Sequence, residues 1–219
     1  MSYSLIIPAQ EKNRYHEEGD FSPFGGTSLI EWKVSQCIET INKSDIYIAS
    51  SSQKPIAICK KYGINFIKRQ EAQSLETDLI DIAKQITTEY VLWANPTSPF
   101  IGGEEYKSAL NVFFNSDKHD SLISTVEKRE YMFFENKKNN FKNHSDGREI
   151  LQPIYIATNG FYISSRKNIL EGKGLIGKDP LFYNMDFFES LEIVNTKTYN
   201  LMNELIAQYF NKKLEPSLE

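Results

Sequence analysis

Cysteine and histidine are scarce in this chain, and their placement removes several kinds of chemistry at once. The 219 residues include two cysteines, Cys37 and Cys59, and three histidines, His16, His119 and His144. Neither set has metal-ligand spacing, no Ser/His/Asp or Cys/His grouping emerges, and two cysteines make no disulfide framework. Both cysteines fall in helix-like apolar stretches, which reads as buried free thiols in a reducing, cytoplasmic setting. No run approaches about 18 consecutive apolar residues, so no membrane span is expected. The opening Met1–Pro8 lacks the basic region of a signal peptide. An excess of positive charge is missing as well: 25 Lys and Arg against 29 Asp and Glu give a net charge of -4. That balance argues against a nucleic-acid partner. A GxxxxGK[ST] phosphate loop is also lacking.

What is present suits one α/β domain over residues 1–219. The hydrophobic share of 40% and charged share of 25% are those of an ordinary globular chain. At this length a core needs neither disulfide nor metal to hold it. Strand-like and helix-like segments alternate. Strands are expected at Tyr3–Ile7, Ile46–Ala49, Asn65–Ile67, Tyr90–Ala94 and Ser121–Val126. Helices are expected at Ser28–Thr40, Pro55–Tyr62, Asp78–Ile86 and Glu104–Phe114. This rhythm predicts a mainly parallel central sheet flanked by helices, with Tyr3–Ile7 and Tyr90–Ala94 as interior strands. After Val126 it changes. Tyr131–Glu135 and Asn139–Phe141 read as a hairpin about a polar Asn136–Lys138 turn. Asn143–Gln152 reads as a polar loop, and Ile154–Thr158 and Phe161–Ser164 as strands. Glu127–Pro153 is thus an excursion from the main sheet, and its Tyr131, Phe133, Phe134 and Phe141 are candidates to pack on a second subunit. A helix at Tyr199–Phe210 precedes a polar tail expected to fray.

In an open parallel sheet, ligands bind beyond the carboxyl ends of the strands. Three loops lie there: Pro8–Gly26, Ser50–Ser52 and Asn95–Gly103. The first carries Lys12, Arg14 and His16 ahead of Gly25-Gly26, a composition that suits a triphosphate but on its own favours a solvated loop. Asn95-Pro96-Thr97-Ser98-Pro99 is a stiff polar corner able to hydrogen-bond a ligand, or an ordinary strand-to-helix turn. Asn159-Gly160 is explained by a turn alone.

Taken in order, these segments resemble one family. Leu5-Ile6-Ile7-Pro8-Ala9-Gln10 is similar to the IIPAR opening of acylneuraminate cytidylyltransferases. Gly26–Ile30 resembles the Gly-x-x-Leu-Ile that starts their first helix, and Lys68-Arg69 the Arg of their Arg-Pro pair. Asn95–Phe100 resembles LQPTSPL, Asn159–Ile163 resembles NGAIYI, and Glu189–Ile193 resembles ESIDID. The resemblance implies a nucleotide-diphospho-sugar transferase fold, glycosyltransferase-A-like, and transfer of CMP from CTP to a sialic-acid-like sugar acid with release of pyrophosphate. It implies a nucleotide site at Pro8, Ala9, Gln10, Lys12, Arg14 and Arg69, with Arg14 and Arg69 as the catalytic cations. It implies substrate contacts from Asn95, Thr97, Ser98, Arg148, Asn159 and Gly160. It also implies Mg²⁺ bound with the nucleotide, and a homodimer formed through residues 127–153.

Departures from the pattern accompany the matches. Gln10 stands where the family has an arginine, and Lys12-Asn13-Arg14 where it has Gly-Ser-Lys. Gly19-Asp20 replaces a Lys-Asn pair. Val194 and Thr198 replace the late metal-binding carboxylates, leaving the nearby Glu192 as the candidate metal ligand. These changes keep open a second reading, a non-catalytic member that binds a nucleotide or a partner protein, alongside the active cytidylyltransferase.

Overall fold

The computed structural model describes residues 1–70, 74–143 and 147–214. His144 and the tail beyond Leu214 lie outside the described residues. The first half of the chain repeats a strand–helix unit. It comprises β1 (Tyr3–Pro8), a short hairpin β2 (Pro23–Phe24) and β3 (Thr27–Ser28), α1 (Leu29–Cys37), β4 (Ile46–Ser50), α2 (Pro55–Tyr62), β5 (Asn65–Lys68), α3 (Leu75–Gln85), β6 (Tyr90–Ala94) and α4 (Gly103–Phe114). The second half adds β7 (Ser121–Lys128), a hairpin β8 (Phe133–Phe134) and β9 (Lys137–Lys138), β10 (Ile154–Ser165), α5 (Arg166–Leu170), β11 (Pro180–Asn184) and α6 (Thr196–Leu214).

Seven strands form one sheet in the order β11-β7-β10-β6-β1-β4-β5. All neighbouring pairs are parallel except those of β10, which runs antiparallel to β6 and β7. β1 and β6 are interior, as their largely apolar composition predicts. Residue parity divides the core. Leu5, Ile7, Ile48 and Leu92 face α1 and α4, where Ile30, Val34, Tyr106, Ala109 and Phe113 are buried. Ile6, Ala49, Val91 and Trp93 face α3 and α5 through Leu79, Ile82, Ala83 and Ile169. Each such aliphatic side chain contributes about 1.5–3 kcal/mol on burial. A third cluster of Tyr15, Phe24, Leu29, Ile193, Tyr199, Met202 and Ile206 joins α6 to the loop after β1.

Local signals set most boundaries. Ser28 is the N-cap of α1, accepting the Glu31 amide, so the expected Ser28–Thr40 helix begins one residue later. Ser74 caps α3 through the Thr77 amide and starts that helix at Leu75, ahead of the expected Asp78. Gly63 closes α2 in the left-handed region. The hairpin of the excursion turns at Glu135-Asn136, with φ of 47° and 61°, and not at Asn136–Lys138. Two consecutive left-handed residues make the tight turn whose twist matches a hairpin. Ile154–Thr158 and Phe161–Ser164 are one strand, interrupted by a register shift between Ala157 and Tyr162. β11 was not foreseen; Pro180 opens it at the sheet edge, where no ladder amide is needed.

Because β7 runs to Lys128 and β10 starts at Ile154, the excursion proper is shorter than 127–153. Its aromatics partly satisfy one another: the Phe141 ring lies 4.9 Å from Tyr131 and 5.2 Å from Phe133. Phe133 and Phe134 nonetheless remain 60% and 67% exposed. Among the described residues, no helix is long and apolar enough to cross a membrane.

Candidate functional site

A cleft of about 680 Å³ opens where β1, β5 and β6 end. Its walls come from the loop after β1, the Asn95–Thr97 corner, the irregular middle of β10, the start of α3, the Gly172–Ile176 loop and Glu192-Ile193. Three ties hold these loops in place. Ile193 donates its amide to Thr97 O at 2.8 Å, Thr196 Oγ1 donates to Tyr15 O at 3.1 Å, and Asn203 on α6 accepts the Gly25 amide at 3.0 Å.

The loop after β1 is closed on itself by one acid. Asp20 Oδ2 accepts the Gln10 amide at 2.7 Å, Oδ1 accepts the Tyr15 hydroxyl, and the Asp20 amide returns to Gln10 O at 2.9 Å. Gly19 makes this closure possible. Its φ is +54°, and a β-carbon there would stand 2.2 Å from Gln10 O. Burial pushes the Asp20 carboxyl up to about 6, despite the hydrogen bonds from Tyr15 and Gln10 that favour its charge. A buried carboxylate therefore lies where a triphosphate would bring further negative charge.

Arg69 follows β5 and reaches the same half of the cleft. Its Nη2 is paired with the buried Asp78, while its Nε is buried without a hydrogen-bond partner among the described residues. An orphaned buried donor in a cleft is a group that a ligand oxygen would satisfy. Arg14 lines the cleft with its side chain exposed.

On the far side, Asn95 and Asn159 form a small network. Asn95 Nδ2 donates to Asn159 O and to Asn159 Oδ1 at 3.2 Å, and Asn95 Oδ1 accepts Trp93 Nε1 at 3.0 Å. Asn159 Nδ2 donates to Glu192 Oε1 at 3.1 Å, and the Tyr162 hydroxyl donates to Asn159 Oδ1 at 3.2 Å. Burial raises the Tyr162 hydroxyl, with Glu192 adding to the effect.

The cleft thus brings together Pro8, Gln10, Arg14, Arg69, Asn95, Thr97, Asn159 and Glu192 from the expected set. The others lie off its lining. Ala9 is buried, its amide bonded to Ala49 O at 2.9 Å. Ser98 is 2% exposed, and its carbonyl accepts Lys33. Gly160 is buried with Ile101 so close that a β-carbon would lie 2.5 Å from it. Lys12 is exposed beside the cleft, and Arg148 sits on the excursion, ion-paired with Glu130 at 3.0 Å. Sequence reasoning passed over Lys33. Its Nζ donates to Ser98 O at 2.8 Å, Ile101 O at 3.1 Å and Tyr106 Oη at 3.0 Å, pinning the polar corner from behind. Burial pushes its pKa down to about 8. The signal was there: Ile30, Lys33, Val34 and Cys37 share one helical stripe, and a lysine in an apolar stripe needs buried acceptors.

Among the described residues, no group of three or more His, Cys, Asp or Glu is placed to hold a metal ion. Val194 offers no side-chain oxygen. Thr198 Oγ1 is occupied by the Val194 and Asn195 amides at the start of α6. These residues do not fit a resident metal cage.

Comparison with known proteins agrees with this architecture. No family model matches the sequence. N-acylneuraminate cytidylyltransferases of Streptococcus agalactiae are 23% identical over 204 residues, covering 86% of this chain and 49% of theirs. The chain therefore spans about half the length of the curated relatives it matches. A CMP:2-keto-3-deoxy-manno-octonic acid synthetase solved with CTP superposes over 95% of this chain and all of its own, with a TM-score of 0.72 at 9% identity. A 4-diphosphocytidyl-2C-methyl-D-erythritol synthase from Anaerococcus prevotii covers 94% of this chain and 98% of its own, with a TM-score of 0.66 at 13% identity. A cytidylyltransferase from Leptospira borgpetersenii covers 97% and 95%, with a TM-score of 0.63 at 12% identity. The chain has the fold of the cytidylyltransferases and resembles the N-acylneuraminate cytidylyltransferases in sequence, as a diverged relative.

Proposed function

We propose that the protein is a CTP-dependent nucleotidyltransferase that passes CMP to a sugar hydroxyl and releases pyrophosphate. The observation that carries this reading is the cleft itself. It lies beyond the strand ends in a fold shared with a synthetase solved with CTP, and one half presents Arg14 and the unpartnered Nε of Arg69. In this reading the triphosphate lies along the Pro8–Arg14 loop. Arg14 and Arg69 offset charge as the acceptor oxygen attacks the α-phosphorus and the bond to the β-phosphate breaks. The described residues form no cage for a metal ion, so a Mg²⁺ ion would have to come with the nucleotide, and the chemistry it would supply is neutralisation of phosphate charge. Asn95, Thr97, Asn159 and Glu192 orient the acceptor. Arg148, one of the implied substrate contacts, is paired with Glu130 outside the cleft.

A nucleotide-binding member without turnover is the second reading, favoured by the buried Asp20 and by the pairing of Arg69 with Asp78. We further place the protein in the cytoplasm as a homodimer joined through the exposed Phe133 and Phe134. Isothermal calorimetry with CTP, UTP, ATP and GTP tests the reading. CTP should bind most tightly, with Mg²⁺ binding appearing only alongside nucleotide. Equal binding of all four, or none, removes it.

A further inference from the structure

Gly19-Asp20 puts a carboxyl on the phosphate side of the cleft, where the resembled family has a Lys-Asn pair. Asp20 is 4% exposed and held at both oxygens, Oδ2 by the Gln10 amide at 2.7 Å and Oδ1 by the Tyr15 hydroxyl. Tyr15 and Asn13 line the same cleft, and the Tyr15 oxygen receives a hydrogen bond from Asn13. Burial and the neighbouring carboxylate raise the Tyr15 hydroxyl, so it keeps its proton. That one proton is spent on Asp20, and none is left for a ligand.

The groups facing Asp20 give its charge little support. Arg69, at the end of β5, favours ionisation, but its guanidinium is already paired with Asp78 of α3. Arg14, on the same loop as Asp20, holds its side chain in solvent. Behind Tyr15 lie Tyr199 of α6, stacked on it at 5.8 Å, and His16, whose ring is 5.2 Å from that of Tyr199. Burial dominates, and in the free protein it carries the Asp20 carboxyl up to about 6. A triphosphate in this desolvated cleft raises it further, since like charges oppose ionisation.

Resting on the CTP reading above, we propose that nucleotide binding takes up one proton at Asp20. In the complex Oδ1–H donates to Tyr15, and the Tyr15 hydroxyl turns to donate to a phosphate oxygen. The hydrogen bonds balance. Tyr15 then accepts from Asn13 and Asp20 and donates once, while Oδ2 still accepts the Gln10 amide. Protonation thus replaces an internal anion by a donor aimed at an external one.

Calorimetry of CTP binding to the full chain with Mg²⁺, in buffers of different ionisation enthalpy, counts the proton. At pH 7 a carboxyl at about 6 is roughly nine-tenths ionised in the free protein. The parent should therefore take up roughly 0.6–0.9 proton more per CTP than Asp20→Asn, which mimics the protonated form. Its affinity relative to that variant should fall about tenfold or more from pH 6 to pH 8. Carbon-13 NMR of the Asp20 carboxyl reads the same proton without a substitution, and its midpoint should rise from about 6 to above 7 with CTP bound. At pH 5, where Asp20 is already largely neutral, Tyr15→Phe should weaken CTP binding about tenfold or more. Equal proton counts in parent and variant, or a midpoint that does not rise, overturns the proton uptake and leaves the nucleotide reading standing. Unchanged affinity in Tyr15→Phe overturns the role of Tyr15. A chain that does not bind CTP overturns the nucleotide reading beneath both.

Discussion

Asp20→Asn isolates the least expected charge in the site. The substitution keeps the loop closed, because the asparagine's single oxygen can take the place of Oδ2 and accept the Gln10 amide, while its Nδ2, in place of Oδ1, can donate to a Tyr15 hydroxyl that reverses its role. What it removes is a buried ionisation. A carboxyl moved from 3.8 to about 6 costs about 3 kcal/mol more to ionise when folded than when unfolded. The folded state binds the extra proton, so this contribution to stability is fully present below pH 3.8 and is lost as pH rises through about 6. The variant has no such loss. Its advantage over the parent should be near zero at pH 4 and should grow to roughly 1–3 kcal/mol by pH 7, the weaker neutral hydrogen bonds accounting for the lower figure. Urea unfolding at the two pH values reads it directly. At pH 7 the variant should also bind CTP more tightly, since a negative charge has left the phosphate side of the cleft. An equal stability difference at both pH values would refute the burial argument, and weaker CTP binding would refute the placement of Asp20.

Four further outcomes follow from the same geometry. Arg14→Ala should weaken CTP binding by about 1.5–3 kcal/mol with little change in stability. Arg69→Ala should do the same and also cost roughly 3–5 kcal/mol of folding stability, because Asp78, 4% exposed, is left without its partner; calorimetry and urea unfolding separate the two effects. Lys33, pushed down to about 8 from 10.5, binds fewer protons folded than unfolded between those values. Stability should therefore rise with pH across that window, and Lys33→Met should abolish the rise. Phe133→Ser combined with Phe134→Ser should convert a dimer to a monomer in light scattering, and an unchanged mass would remove that face from the interface.

Strand–helix alternation made the first half of the fold legible, because interior parallel strands are mostly apolar and each helix carries one apolar stripe. Tyr90–Ala94 and Pro55–Tyr62 coincide with their observed limits. Local alternatives hid the rest. β11 is a five-residue edge strand opened by proline, and only Leu181 and Tyr183 pack against the core. In the site, the polar corner at Asn95 and the loop after β1 were visible as loops at strand ends. Ala9, Ser98 and Gly160 were placed there by resemblance, yet their backbones serve the scaffold while their neighbours Gln10, Thr97 and Asn159 line the cleft. Tyr15 in the loop after β1, Trp93 in β6 and Tyr162 in β10 were not foreseen in the site, since an aromatic residue reads as core until its hydroxyl or indole N–H finds a partner.

The central claim is transfer of CMP, and CTP labelled at the α-phosphorus tests it most directly. The full chain, Mg²⁺ and a panel of neutral sugars and sugar acids are incubated with the labelled nucleotide. Products are separated for label and assayed for pyrophosphate. The account predicts label in a CMP–sugar ester, pyrophosphate in equal amount, and loss of both in Arg14→Ala. Label retained in CTP across the whole panel, by a chain that does not bind CTP in calorimetry, would contradict it.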